Sequence, residues 1–136
     1  MLSIDPKQIA PAKLQGYLQS AVAPRPIAFA STLDVFGNPN LSPFSFFNVF
    51  SSNPPILIFS PARRVRDNTI KHTLINSQKT GEVVINVVNF DIVQQMSLSS
   101  TEYPEGVNEF EKAGSLSHVA QDDVGITYAH KIKKDE

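Results

Sequence analysis

The chain contains no cysteine, and none of its apolar runs is long enough to cross a lipid bilayer. The absence of cysteine excludes disulfides, thiol nucleophiles and cysteine-ligated metal centres. The six glycines form neither a GxGxxG fingerprint nor a GxxxxGK[ST] loop, which argues against Rossmann and P-loop nucleotide sites. The three histidines are scattered, and neither HExxH nor GxSxG occurs, so no metal site and no hydrolase is predicted. If the chain is an enzyme, we expect a cofactor to carry the chemistry.

The charge balance is close to even, with 12 Lys and Arg against 13 Asp and Glu. A protein that coats nucleic acid carries a strong excess of positive charge, so we expect no nucleic-acid partner. The N-terminal sequence MLSIDPKQ lacks the basic region and apolar run of a signal peptide. These features predict a cytoplasmic protein without a membrane partner.

The 136 residues are predicted to form a single domain covering 1–136, and the apolar fraction of 41% suffices for a core. Strand-like runs outnumber helical ones, and most links between them are short. This pattern favours a mainly β protein, an antiparallel barrel or sandwich with a few short helices.

The local patterns give the predicted elements. Strands are expected at 27–33, 41–50, 56–60 and 82–88, with a last candidate strand at 126–132. Helical segments are expected at 6–22, 74–80, 91–99 and 108–113, and a loop at 101–106. Pro24 and Pro26 should end the first helix, and Gly81 should end the second. Pro43 within the second strand favours an edge, a bulge or a bend.

A basic segment precedes the second predicted helix. Its cations are Arg63, Arg64, Arg66 and Lys71 ahead of the helix, and Lys79 follows within the helix itself. They fit either a solvated basic surface or an anion site, because unpaired N–H groups and a positive dipole at a helix N-terminus attract anions. Thr73 is predicted to cap the helix 74–80, with Lys71 just ahead of its N-terminus. A start at Asn68 is the alternative, and it would turn Lys71 and Thr73 to different faces.

Serines interrupt a strand that is otherwise rich in phenylalanine. The phenylalanines of LSPFSFF are expected in the core, whereas Ser42 and Ser45 fit a bend where backbone groups meet a polar ring edge. Together with the basic helix start, this layout suits a flat, phosphate-bearing ligand laid across a small β-barrel.

Short motifs in a fixed order then point to one family. They are RPIA at 25–28, ST at 31–32, NLSPFSFFN at 40–48, NPP at 53–55, SPARR at 60–64, KHT at 71–73 with Asn76, GEVVIN at 81–86 and GVNEFEKAG at 106–114. From about residue 4 to 114 the chain resembles the flavin reductase-like family of FMN-binding split barrels, in its flavoredoxin-type branch. Residues 115–136 form a divergent tail.

The resemblance implies a six-stranded, antiparallel, Greek-key-like split barrel that forms a homodimer, with FMN in a groove at the dimer interface. Ser31 and Thr32 would then meet the ribityl chain or the phosphate. The segment Ser42, Pro43, Phe44 and Ser45 would line the isoalloxazine edge.

The phosphate would be held by Ser60, Arg63, Lys71 and Thr73, and Tyr103 would border the substrate side. Members of the family take a hydride from NAD(P)H and pass electrons through FMN to a flavin, a metal complex or a protein acceptor. No side-chain acid or base is obligatory, so no catalytic residue is predicted.

Two departures from the family pattern bear on activity. His72 stands where the family usually has an acidic residue, which predicts a looser or pH-sensitive phosphate loop. Past Gly114 the sequence no longer matches, so the barrel is expected to be incomplete and to compensate by dimerising. An NAD(P)H-dependent oxidoreductase, a flavin-binding electron carrier and a dimerisation or interaction module therefore stand as alternatives.

Overall fold

A computed structural model describes residues 3–64, 67–101, 103 and 107–114. The strands are β1 (Ala28–Leu33), β2 (Pro39–Phe44), β3 (Phe47–Ser52), β4 (Pro55–Phe59) and β5 (Val84–Val87). The helices are α1 (Pro11–Ala21), α2 (His72–Thr80), α3 (Val93–Ser99) and α4 (Glu109–Lys112), preceded by a 3₁₀ turn at Pro6–Gln8.

The strands form two antiparallel sheets. One has three strands in the order β2-β1-β5, and the other consists of β3 and β4. The prediction of a mainly β protein with short helices is confirmed. Within the described ranges the sheets remain separate and do not close into a barrel.

The single strand predicted at 41–50 is wrong, because the structure divides it into β2 and β3 in different sheets. Phe44 and Phe47 both enter the same core cluster, although side chains an odd number of residues apart point to opposite faces of one strand. A bend at Ser45 and Phe46 resolves this conflict, and the Ser60 N–H donates to the Phe46 carbonyl at 2.9 Å. Of the edge, bulge or bend predicted from Pro43, the structure shows an edge, since β2 is the outer strand of its sheet within the described ranges.

The three-stranded sheet is covered on both faces, so that the core has two clusters. The cluster between the two sheets contains Ala28, Ala30, Phe44, Phe47, Val83 and Ile85, with Leu57 and Phe59 against it. The cluster beneath α3 and α4 contains Phe29, Leu41 and Ala113, with Val88, Ile92, Met96 and Phe110 against it. The rings of Phe44 and Phe59 join the two sheets, with their centroids 5.3 Å apart.

Local stop signals place several helix ends. The first helix ends before Pro24, as predicted. Its predicted start at residue 6 is wrong, because Pro6–Gln8 form a separate 3₁₀ turn and the α-helix begins at Pro11, where proline fits the first turn of a helix and not its interior. Gly81 ends α2 with a φ of 73°, in the left-handed region that favours glycine, and its N–H donates to the Ser77 carbonyl.

The predicted start of α2 is wrong in both of its forms. The helix begins at His72, with Lys71 as its N-cap residue, so Thr73 lies inside the first turn. Asn68 belongs to the preceding loop, with a φ of 56°. Thr73 is buried against β2, where its hydroxyl accepts a hydrogen bond from Asn40, and it does not cap the helix.

The remaining boundaries differ from the predictions by one or two residues. Asn108 caps α4, because its side-chain oxygen accepts a hydrogen bond from the Phe110 N–H at 3.0 Å. The candidate strand at 126–132 and most of the loop at 101–106 lie outside the described residues. Among the helices that the structure describes, none is long and apolar enough to cross a membrane.

The turn between β1 and β2 is organised by Asp34. Its carboxylate accepts hydrogen bonds from the Asn38 side chain, the Asn38 N–H and the Phe36 N–H. These bonds, with that of the Asn38 side chain the largest cause, lower the pKa of Asp34. The result is a defined hairpin that sets the register of β2 on β1.

Candidate functional site

A groove runs along the outer side of β2, where two adjoining cavities share Pro43, Arg64 and Lys71. The larger cavity is about 350 Å³. Ligand sites for small molecules have volumes of about 300–1,000 Å³, so the groove is large enough for a bound cofactor.

The first cavity is polar. Besides the shared residues it is lined by Asn40, Ser42, His72, Ser99, Ser100, Thr101, Tyr103 and Glu109. The side chain of Glu109 closes the edge of β2 at this point, because its Oε2 accepts a hydrogen bond from the Leu41 N–H at 3.4 Å.

The second cavity lies at the bend between β2 and β3. Its further lining residues are Gln15, Gln19, Phe44, Ser45, Phe46, Ser60, Ala62 and Arg63. It therefore combines the aromatic residues of the bend with two glutamines from α1 and the basic segment after β4.

Lys71 stands at the junction of the two cavities. It immediately precedes α2, so its charge adds to the positive end of the helix dipole. Its Nζ lies 4.9 Å from the centroid of the Phe44 ring, within the range of a cation–π contact.

Arg64 is the second cation at the junction, and it is half-buried. Its Nη1 donates to the Thr69 hydroxyl at 3.0 Å and to the Ile70 carbonyl at 3.1 Å. These bonds tie the side chain to the loop that leads into α2, so that much of its conformational freedom is already lost.

Arg63, which the family resemblance predicts at the phosphate, is more peripheral than Arg64. It is exposed, lines only the second cavity, and donates from Nη1 to the Asn68 carbonyl at 2.9 Å. The sequence does not distinguish Arg63 from Arg64, because neighbouring positions in a loop give no periodic signal of which side chain faces inward.

The structure brings together most of the residues that the sequence predicts for the site. Ser42, Pro43, Phe44, Ser45, Ser60, Arg63 and Lys71 all line the groove. Phe44 also belongs to the core, so part of the groove rests directly on it.

Three predicted residues do not reach the groove. Ser31 and Thr32 lie in the middle strand β1, away from both cavities. Thr32 and Thr73 are buried, and each hydroxyl accepts a hydrogen bond from an asparagine side chain. Their contact with a ligand stays a prediction.

Other groove residues had no assigned role in the sequence. Asn40 and Glu109 belong to the motifs that carry the family resemblance, and that membership was the available signal. Gln15 and Gln19 are four residues apart in α1, a spacing that places both on one helix face. That spacing could have indicated a polar stripe next to the site.

Comparison with known proteins identifies the family. The sequence model of the flavin reductase like domain matches residues 20–128. A protein of Aquifex aeolicus is 46% identical over 93 residues, which cover 68% of this chain and 47% of the relative. The chain therefore belongs to the flavin reductase-like family.

Solved structures agree with this assignment. Nitrilotriacetate monooxygenase component B from Bacillus cereus superposes with a TM-score of 0.77 at 25% identity, covering 95% of this chain and 62% of that one. A split-barrel protein from Shewanella frigidimarina gives a TM-score of 0.64 at 26% identity, covering 82% of this chain and 55% of that one. The chain spans about half the length of the curated relatives it matches.

Proposed function

We propose that the chain binds FMN in the groove beside β2 and serves in NAD(P)H-dependent oxidoreduction. The observation that carries the proposal is the pair of cations, Lys71 and Arg64, at the N-terminus of α2 and at the junction of two cavities. Membership of the flavin reductase-like family supports a flavin as the ligand. The two cations at the junction are suited to binding the phosphate of that flavin.

The donors at the junction suit a phosphate monoester. Such a group carries between one and two negative charges near neutral pH and offers several acceptor oxygens. An ammonium group, a guanidinium group and the first N–H groups of a nine-residue helix are the donors that bind such anions best. The tethering of Arg64 reduces the entropy lost on binding.

The bend between β2 and β3 suits the flavin ring. Ser42 and Ser45 place hydroxyl and backbone groups beside the apolar surface of Phe44 and Phe46, which matches a flat ring with polar edges. When bound, FMN would supply two-electron chemistry, accepting hydride from NAD(P)H and delivering electrons to a flavin, metal complex or protein acceptor. The side chains orient the ring and supply hydrogen-bond donors, and none is assigned as a catalytic acid or base.

The first cavity is proposed for the nicotinamide or the electron acceptor. It adjoins the junction and is lined by hydroxyl groups from Ser99 to Thr101 and by Tyr103. Tyr103 is held in place because its hydroxyl donates to the Leu98 carbonyl at 3.1 Å.

We also propose that the protein functions as a homodimer. Support comes from the two-stranded sheet, where Val49 and Phe50 are 64% and 65% exposed. A group of exposed apolar side chains on one sheet is typical of a surface that packs against another chain.

The visible spectrum of the purified protein, before and after incubation with FMN and desalting, tests the proposal. We expect flavin absorbance at close to one FMN per chain, and anaerobic NADH or NADPH should bleach it. Retained flavin that neither nucleotide bleaches would indicate an electron carrier without NAD(P)H activity. A protein that retains no flavin would contradict the proposal and favour an interaction module.

A further inference from the structure

Two buried side-chain hydrogen bonds fasten α2 to the three-stranded sheet. The Asn40 Nδ2 donates to the Thr73 hydroxyl at 2.9 Å, and the Asn76 Nδ2 donates to the Thr32 hydroxyl at 3.2 Å. None of the four side chains is more than 7% exposed. Each bond joins an amide and a hydroxyl across the same helix–sheet contact.

The two bonds differ in their distance from the groove. Thr73 is the second residue of α2, two positions after Lys71, whereas Asn76 lies about one helical turn further on. Asn40 itself lines the first cavity. The Asn40–Thr73 bond therefore joins the edge strand of the groove directly to the helix turn that carries Lys71.

We propose that Asn40 and Thr73 are positioning residues that hold Lys71 at the phosphate position. This inference rests on the proposed FMN site. Thr73 acts through the first turn of α2 and does not touch the phosphate, because its hydroxyl is buried and already bonded to Asn40.

Loss of the Asn40–Thr73 bond is expected to weaken the binding of the phosphate and not the binding of the flavin ring. Removal of the Thr73 hydroxyl leaves the Asn40 amide buried without its acceptor, so the first turn of α2 shifts to let that amide reach another partner or water. A shift of this turn weakens the contact between Lys71 and the phosphate, whereas the ring contacts come from β2 and the bend. FMN should therefore lose affinity and riboflavin, which lacks the phosphate, should not.

Titration of FMN and riboflavin against Thr73→Val, Thr73→Ser and Asn76→Ala tests the proposal. For Thr73→Val we expect the ratio of FMN to riboflavin affinity to fall on the order of tenfold, the size of one lost charge-assisted contact. Thr73→Ser should restore the ratio because it keeps the hydroxyl. Asn76→Ala is the matched control, since it breaks the equivalent bond about one helical turn further on, at a side chain that lines neither cavity of the groove, and it should leave the ratio unchanged.

A double-mutant cycle with Lys71→Ala separates positioning from direct contact. If Thr73 acts through Lys71, then Thr73→Val should not lower the ratio further in the Lys71→Ala background. Additive losses would overturn the proposal, because they would mean that Thr73 binds the phosphate itself. Equal losses in Thr73→Val and Asn76→Ala would overturn it as well, because they would reflect only the general stability of α2.

Thermal denaturation of each variant establishes that it is folded. If Thr73→Val does not fold, Asn40→Ser replaces it, and an unchanged ratio there would contradict the proposal. A wild-type protein that binds neither flavin would overturn the proposed function and this inference with it. Binding of FMN with a ratio insensitive to Thr73 would overturn the inference alone.

Discussion

At the scale of single residues, burial and tethering separate side chains that look alike in the sequence. Arg63 and Arg64 are adjacent, yet only Arg64 lines both cavities and is half-buried. Lys71 and Lys79 stand at opposite ends of the same helix, and only Lys71 reaches the groove. Arg63 is therefore a natural comparison for Arg64, and Lys79 is a natural control for Lys71, in tests of phosphate binding.

We expect Lys71→Ala and Arg64→Ala each to weaken FMN binding. A hydrogen bond to a charged group contributes about 1.5–3 kcal/mol, which corresponds to a loss of about tenfold or more in affinity. Arg63→Ala should also weaken binding, by less, because that side chain is exposed and borders only the second cavity. Fluorescence titration with FMN and riboflavin measures the effect.

Lys79→Ala is the control for net charge, and we expect unchanged FMN affinity there because screening weakens the effect of a distant exposed charge. If Lys71→Ala and Arg64→Ala bind FMN as tightly as wild type, the phosphate lies elsewhere. Riboflavin binding as tight as that of FMN in the wild type would lead to the same conclusion.

At the scale of elements, the ends of α2 have different causes. The position of its C-terminus is determined locally, because Gly81 adopts a left-handed conformation that other residues adopt only at a cost. The position of its N-terminus is determined by a tertiary contact, because the Thr73 hydroxyl is bonded to Asn40 and does not serve as the cap. The sequence predicted the C-terminus of α2 correctly and missed its N-terminus by two residues.

We expect Gly81→Ala to lower the free energy of unfolding by about 1–2 kcal/mol, the cost of a side chain in the left-handed region. Gly16→Ala is the matched control, since Gly16 lies inside α1 and, apart from its chain neighbours and the nearby backbone of its own helix, no atom lies within 4 Å of an added Cβ. That change should raise the free energy of unfolding by about 0.5–1 kcal/mol. Urea denaturation measures both, and similar effects in the two variants would contradict the assigned role of Gly81.

At the scale of the whole molecule, the two sheets share a core but leave apolar side chains exposed. Phe50 and Ile58, on β3 and β4, are 65% and 48% exposed. Within the described ranges nothing covers them, and water contact with such a surface is unfavourable. Association through this sheet is the simplest way to remove that surface from water.

We expect Phe50→Lys and Ile58→Lys to shift the protein from dimer to monomer in sedimentation velocity, because a buried lysine at an interface is strongly disfavoured. Phe36→Lys serves as the control. Phe36 is 86% exposed at the tip of the hairpin between β1 and β2, and its replacement should leave the dimer intact. A monomeric wild type would contradict the dimer, and a dimer that survives both sheet variants would place the interface elsewhere.

The sequence by itself determined the features that depend on neighbouring residues. Pro24 keeps the first helix from continuing and Gly81 ends the second through their own backbone geometry, and short motifs in order indicated the family and most of the groove. Only the tertiary structure decided which way Thr32 and Thr73 turn and where the strand at 41–50 breaks. The hydrogen bonds of these threonines join residues 44 and 33 positions apart, and the break arises because Phe44 and Phe47 must enter one core. Such contacts exist only after the chain has folded, so local patterns do not encode them.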